Sequence, residues 1–160
     1  MNFKTADLCD EFEQSMWMAE PLFRDYGRAT SFYGKMVTVK VFEDNVLVRE
    51  MLATDGQGRV LVVDGGGSTR CALVGDKLAQ LAYNNRWAGI VVNGCIRDSD
   101  EISGITVGVK ALYAVPRRSG KEGVRERDVP VDFAGITFTP GHYLYADPDG
   151  ISVTDRDLLT

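Results

Sequence analysis

The chain has 160 residues, 44% of them hydrophobic and 26% charged, and a formal net charge of −5. This is the usage of an ordinary globular domain, long enough to bury roughly 70% of its unfolded surface around one core without a disulfide or structural metal. An acidic chain with no basic cluster beyond Arg117–Arg118 and Lys121 repels phosphate backbones, which disfavours direct nucleic-acid binding, and no run approaches the ~18 apolar residues of a membrane span. The start, MNFKTADLCDEFEQ, has neither the basic nor the apolar region of a signal peptide. Cys9, Cys71 and Cys95 are odd in number and scattered, the pattern of reduced thiols in a cytoplasmic protein. The only histidine, His142, is far from each in sequence, which argues against a catalytic cysteine.

TADLCDEFE places Leu8 and Phe12 one turn apart behind Thr5, predicting a short amphipathic helix with Thr5 as its N-cap. AEPLFRDYGRATS reads as a loop. KMVTVKVF alternates Val37, Val39 and Val41 against Met36, Thr38 and Lys40, the period of a half-buried strand. EDNVLVREMLAT predicts a helix capped by Asp44 or Asn45 and stopped at Gly56. RVLVVD is a continuous apolar run, a strand buried on both faces. GDKLAQLAYNNRW opens on a Gly-Asp cap and carries Leu78, Leu81 and Ala82 on one stripe, a second helix. AGIVV is the next buried strand, leaving the sheet at about Gly94. Strand, helix, strand predicts a βαβ unit, right-handed by default. After Gly108, VKALYAV, VPVDF, ITFTP and HYLYADPDGISVT are short strand-like runs, and DPDG marks a hairpin. The expected product is one α/β domain over residues 1–160 with a mixed sheet and a β-rich C-terminal half.

VLVVDGGGSTR has the outline of a nucleotide or S-adenosylmethionine loop, but the fit is poor. Arg70 stands where the dinucleotide fingerprint wants glycine or alanine, no P-loop lysine follows, and the next strand ends on Asn93 instead of a ribose-binding acid. Gly65 to Gly67 therefore read as a tight turn or a close backbone approach.

GCIRDSDE, residues 94–101, places Arg97 and Asp98 at the end of a buried strand. The other end of the same crossover is GDKLA, whose helix N-terminus offers free amides, at Lys77 and Leu78 especially. Ligands on open α/β sheets bind at the carboxyl ends of strands. A helix N-terminus and an arginine fork suit a carboxylate, and Asp98 supplies a hard oxygen for Mg²⁺ or Mn²⁺. On spacing alone the same residues read equally as an N-cap, Asp76, and solvated loop charges.

These stretches, with DLCDEFE, FYGKMVTVK, GRVLVVDGGGSTRCALVGDKLA, WAGIVVNGCIRD and HYLYADPDGI, resemble the RraA-like family over nearly the whole length. That family unites regulators of ribonuclease activity with class II 4-hydroxy-4-methyl-2-oxoglutarate aldolases. The resemblance implies a compact α/β/β/α sandwich of the swivelling type and a ring-shaped homotrimer with its site between subunits. It implies that Gly75, Asp76, Lys77, Leu78 and Arg97 bind pyruvate or oxaloacetate, with Arg97 and Asp76 catalytic, and that Asp98 holds the divalent metal. Asp76 would orient a water that moves the proton. The longer aldolases carry a C-terminal extension that adds an acidic residue to a neighbour's site. Here the sequence stops at DRDLLT, so decarboxylation of oxaloacetate is implied more directly than aldol cleavage. The regulator branch implies a different activity, inhibition of ribonuclease E by protein–protein binding, with which an acidic ring is compatible. A methyltransferase label used for this family is disfavoured by the broken glycine pattern.

Overall fold

The structure, a computed structural model, describes residues 2–121 and 125–160. Helix α1 (Thr5–Glu11) and a 3₁₀ turn (Glu13–Ser15) lead into two short strands, β1 (Trp17–Met18) and β2 (Arg24–Asp25). The long strand β3 (Phe32–Val41) precedes α2 (Val46–Leu52), β4 (Val60–Asp64), β5 (Ala72–Val74) and α3 (Asp76–Asn84). Then come β6 (Gly89–Ile96), α4 (Ser99–Ile102) and β7 (Gly108–Ala114). The C-terminal part holds β8 (Arg125–Arg127), β9 (Val131–Phe133), β10 (Ile136–Phe138), β11 (Tyr143–Asp147) and β12 (Gly150–Thr154).

Ten strands form one curled mixed sheet in the order β1-β12-β11-β3-β4-β6-β7-β2, with β5 added on β6 and β8 on β3. The curl is made by β3. Its first half, Phe32 to Lys35, pairs antiparallel with β11, while Met36 to Lys40 pair parallel with β4. Gly34 sits at this change of partner, where a Cβ would lie 2.3 Å from the carbonyl oxygen of Gly58. Only a glycine lets the two backbones approach so closely.

The curl separates two cores. On one face of the parallel strands, Val37, Val39, Leu61, Val63, Ile90 and Val92 pack under Val48, Leu52, Leu78, Ala82 and Ile102 of the helices. On the other face, Met36, Val60, Val62 and Val91 meet Leu144, Ala146, Ile151 and Val153 of the β11–β12 hairpin, with Phe133 and Phe138 of β9 and β10. Helix α1 packs on the outer face of that hairpin. The layers therefore run helix, sheet, sheet, helix, the expected mixed α/β arrangement.

Several local expectations are corrected. Thr5 is not the N-cap. Lys4 holds that place, and Thr5 instead donates both its N–H and its hydroxyl to Asp147, each at 2.7 Å. The strand KMVTVKVF, residues 35–42, is not half-buried in its middle, because β3 is covered on one face by helices and on the other by the hairpin, and Met36 to Val39 are all buried. The helix expected over EDNVLVREMLAT, α2, ends at Leu52, four residues before Gly56. The AGIVV strand runs on past Gly94 to Ile96. The segment AEPLFRDYGRATS, read as a loop, contains β2, and no element was expected at β1, β5 or β8; each is two or three residues long, too short to show a period.

Asp147 is buried and accepts the two Thr5 bonds and the Asp149 N–H at 3.0 Å. Burial pushes its carboxyl up, but the bonds from Thr5, Asp149 and Gly150 outweigh this and hold it below the ordinary value of 3.8. A carboxylate depressed in the folded state stabilises fully above its unfolded value and loses that contribution as pH falls through the folded one. Wild-type protein is expected to lose the stability contributed by this group as the pH falls below the ordinary carboxylate value. In urea titrations across that range Asp147→Asn should lack this component. An unchanged pH slope would remove Asp147 as the clamp on α1.

Candidate active site

The parallel strands end together on one edge, and the loops that follow β5 and β6 meet there. After β5, Gly75 is extended and serves as N-cap of α3, with the Ala79 N–H closing the first turn on the Gly75 carbonyl at 3.0 Å. After β6, the Arg97 N–H donates to the Val74 carbonyl at 2.9 Å, which locks the start of the second loop to the end of β5. Asp98 is left-handed, φ 58° and ψ 43°, and its carbonyl accepts the Ile102 N–H at 2.9 Å to open α4. Aspartate is among the few non-glycine residues that adopt this conformation readily.

The Asp98 side chain does not cap its own helix. Its Oδ2 accepts the N–H of Asp76, the first residue of α3, at 3.0 Å. The helix N-terminus thus already holds one anion, and the amides of Lys77 and Leu78 have no protein partner among the described residues. This sharpens the expectation from sequence: Lys77 and Leu78 are the open donors, and Asp76 contributes a carboxylate but no free amide. Leu78 contributes only its amide, since its side chain is buried in the helix-side core. Gly75 keeps the space open, because a Cβ there would lie 2.7 Å from Asp98 Oδ2 and 3.6 Å from Arg97 Nε.

Arg97 and Asp98 are half-buried, and neither the Arg97 guanidinium nor Asp98 Oδ1 has a hydrogen-bond or ion-pair partner among the described residues. They line a recess of about 200 Å³ with Ser99, Ala114, Val115 and Pro116. A second groove, about 480 Å³, lies between α3 and α4 and is lined by Asp76, Lys77 and Glu101 with Gln80, Leu81 and Asn84. Ala114 to Pro116 and Glu101 were not picked out from sequence. The usable signal was the parallel run VKALYAVP, whose carboxyl end must lie beside that of β6.

The glycine loop lies between two strands that share one edge of β6: Asp64 pairs with Asn93 and Ala72 with Cys95. Its amides are spent internally. Gly65 and Gly67 N–H donate to the Asn93 carbonyl at 3.0 and 3.1 Å, and Gly66 N–H donates to Asp64 Oδ1 at 3.0 Å. Asn93 Nδ2 donates to the same Asp64 oxygen at 3.0 Å. The loop closes on itself and presents no amide cradle. Added S-adenosylmethionine or nicotinamide dinucleotide should therefore leave the melting temperature unchanged. A ligand at 100 times its Kd would add about 2.7 kcal/mol, or about 5–10 °C for a chain of this size. A shift of that size would restore the nucleotide reading.

The RraA-like family profile, described as Aldolase/RraA, matches residues 5–153. A protein of Dechloromonas aromatica, provisionally named 4-hydroxy-4-methyl-2-oxoglutarate aldolase, is 56% identical over 162 aligned positions covering 99% of both chains. A crystal structure from Geobacillus kaustophilus, described as an S-adenosylmethionine:2-dimethylmenaquinone methyltransferase, superimposes with a TM-score of 0.96 at 52% identity over 98% of both chains. The RNA-processing inhibitor RraA of Thermus thermophilis superimposes with a TM-score of 0.94 at 41% identity over 99% of this chain and 98% of that one. Fold, length and sequence agree across all three, and the chain belongs to the RraA-like family.

Proposed function

We propose that this protein is a divalent-metal-dependent carbon–carbon lyase on small 2-oxo acids. Its substrates in this reading are 4-hydroxy-4-methyl-2-oxoglutarate, cleaved in the retro-aldol sense, and oxaloacetate, decarboxylated, each releasing pyruvate. The carrying observation is the meeting at one strand edge of an Arg97 guanidinium, one Asp98 oxygen and two α3 amides that have no partner among the described residues. The name borne by the Dechloromonas relative supports it.

Both reactions break the C3–C4 bond and leave the electron pair on C3 as a pyruvate enolate; C4 leaves as CO₂ from oxaloacetate, and from the aldol substrate as the carbonyl of a second pyruvate once its hydroxyl proton passes to water. Arg97 would grip the substrate's C1 carboxylate through its planar fork. The amides of Lys77 and Leu78, at the positive end of α3, would face the same developing anion. The Asp76 carboxylate, which has no partner among the described residues, would hold or pass a proton at C3 through a water. No cluster of three or more His, Cys, Asp or Glu suited to a metal occurs among the described residues, which does not fit a closed zinc-type cage. One free oxygen on Asp98 does fit Mg²⁺ or Mn²⁺, which take one or two carboxylates and otherwise water and substrate. Such an ion, when bound, supplies positive charge at the 2-oxo oxygen.

The site is open in a single chain, with Lys77 and Ser99 exposed. A homotrimer whose neighbour closes this cleft is part of the proposal, and sedimentation at micromolar concentration should show three copies. A stable monomer would remove the shared cleft. A cytoplasmic setting belongs to the same reading, with Cys9, Cys71 and Cys95 all free thiols. The deciding experiment is pyruvate release from both substrates, before and after chelation. The likeness to the Thermus RNA-processing inhibitor favours a second reading, a regulator that binds ribonuclease E protein to protein. Pure protein that turns over neither substrate with metal present would select it.

A further inference from the structure

Strand β1 is the outermost strand of the ten-stranded sheet and pairs on one side only, with β12. Trp17 lies opposite Val153 and Met18 opposite Ser152, and the next residue, Ala19, donates its N–H to the Ile151 carbonyl at 3.0 Å. Bonded and non-bonded residues alternate along an antiparallel pair. Ala19 and Trp17 therefore turn their amides towards β12, and the Met18 N–H and C=O face the open side. Neither has a partner among the described residues. Met16 is also extended, at φ −114° and ψ 137°, so strand geometry covers three residues. Exposed edges are normally blunted by charge, proline or a bulge. This one instead carries Trp17 at 55% and Met18 at 67% exposure.

Both flanks of the edge are recessed. Successive side chains of a strand point to opposite faces. Met16 and Met18 line a groove of about 590 Å³ between α1 and β12, whose charged lining among the described residues is Asp10, Glu13 and Asp149, with no basic side chain. Trp17 lines a second groove, about 360 Å³, with Ile136, Thr139, His142 and Val153. The acidic groove lies in the segment where the chain's charge is concentrated: residues 1–20 contain five acidic side chains and one basic, against a net −5 for the whole chain.

We propose that the β1 edge is a docking site for an extended segment of a partner protein in which basic residues alternate with apolar or aromatic ones. The segment adds as a strand beside Met18. The residue opposite Met18 points into the acidic groove, and its neighbours point to the Trp17 side, so strand periodicity sorts the two side-chain types. A docked helix would leave the Met18 amide and carbonyl unused, and a nucleic acid would meet three carboxylates. This site is separate from the Arg97–Asp98 edge and does not depend on the lyase reading.

The test is titration of the intact protein with a synthetic peptide of alternating arginine and leucine, read by calorimetry and by Trp17 emission. Saturable binding is expected, weakened about tenfold or more by the double variant Asp10→Asn/Glu13→Gln and by a peptide of the same composition arranged in two blocks. N-methylation of one alternate set of peptide amides should abolish binding, and methylation of the other set should leave it. Trp17→Ala should weaken the alternating peptide and leave pyruvate release unchanged. Absence of binding, or equal binding of the alternating, block and N-methylated peptides, overturns the proposal. So does concentration-dependent protection of the Met18 amide from hydrogen exchange without peptide, which would assign the edge to a second copy of this chain.

Discussion

Asp98→Ala should lower oxaloacetate decarboxylation on the order of 10²–10³-fold, and excess Mg²⁺ or Mn²⁺ should recover part of it. Arg97→Lys should fail differently. It keeps the charge but loses the fork, so activity falls while the metal concentration for half-activation stays near wild type and added metal does not rescue it. Sequence alone suggests that both changes cost no more than about 1 kcal/mol of stability, as for loop charges. The structure changes that for Asp98. Alanine there would keep a left-handed backbone without aspartate's local compensation and would strip the Asp76 amide of its acceptor. The two effects together come to about 2–3 kcal/mol. Asp98→Asn is the cleaner variant, since an amide oxygen can still accept from Asp76 and asparagine tolerates the same backbone. It should fold like wild type and lose the metal response. If Asp98→Asn and Arg97→Lys both fold and decarboxylate oxaloacetate at the wild-type rate, the proposed site is wrong.

The largest stability effect is expected at Phe32→Ala, far from that edge. Phe32 is buried at the start of β3, and its ring lies on the bare backbone of the Gly89–Gly108 pair of β6 and β7. A Cβ at Gly89 would fall 2.4 Å from one ring carbon and a Cβ at Gly108 2.1 Å from another. The ring thus fills space that two neighbouring strands leave empty, and the glycines cannot reclaim it when the ring is gone. Truncation should cost about 3–5 kcal/mol in urea unfolding, the range for a buried phenylalanine whose cavity cannot collapse. A cost below about 1 kcal/mol would show that the curl of β3 does not depend on this contact.

The parts of the fold legible in the sequence are those with enough residues to show a period. RVLVVD, the helix from Asp76, VKALYAV and the DPDG hairpin all stand where their patterns put them. What was missed is short or bent. β1, β2, β5 and β8 are held by long-range pairing, with no local signal of their own. β3 was read as one face of a strand because its change of partner at Lys35–Met36, which covers its second face, leaves no local trace. At the candidate site, the neighbourhood of Gly75 with Arg97 and Asp98 followed from strand order. The direction of the Asp98 carboxylate, towards α3 and not its own helix, depends on a left-handed backbone that no spacing rule reports.

β4 and β5 occupy one edge of β6 in succession, with residues 65–71 looping out between them. Position along the site is therefore measured on β6 and not along the chain from β4. Ala72 to Val74 take their register from Cys95 and Ile96, and the Arg97 amide fastens the end of β5 directly. The glycines that open the excursion are held in place, since a Cβ at Gly65 would lie 2.5 Å from Leu73 of β5. Its exposed tip at Thr69 and Arg70 is thus the place where this scaffold can accept new sequence, a longer loop or an appended recognition element, while the machinery a few residues on keeps its spacing.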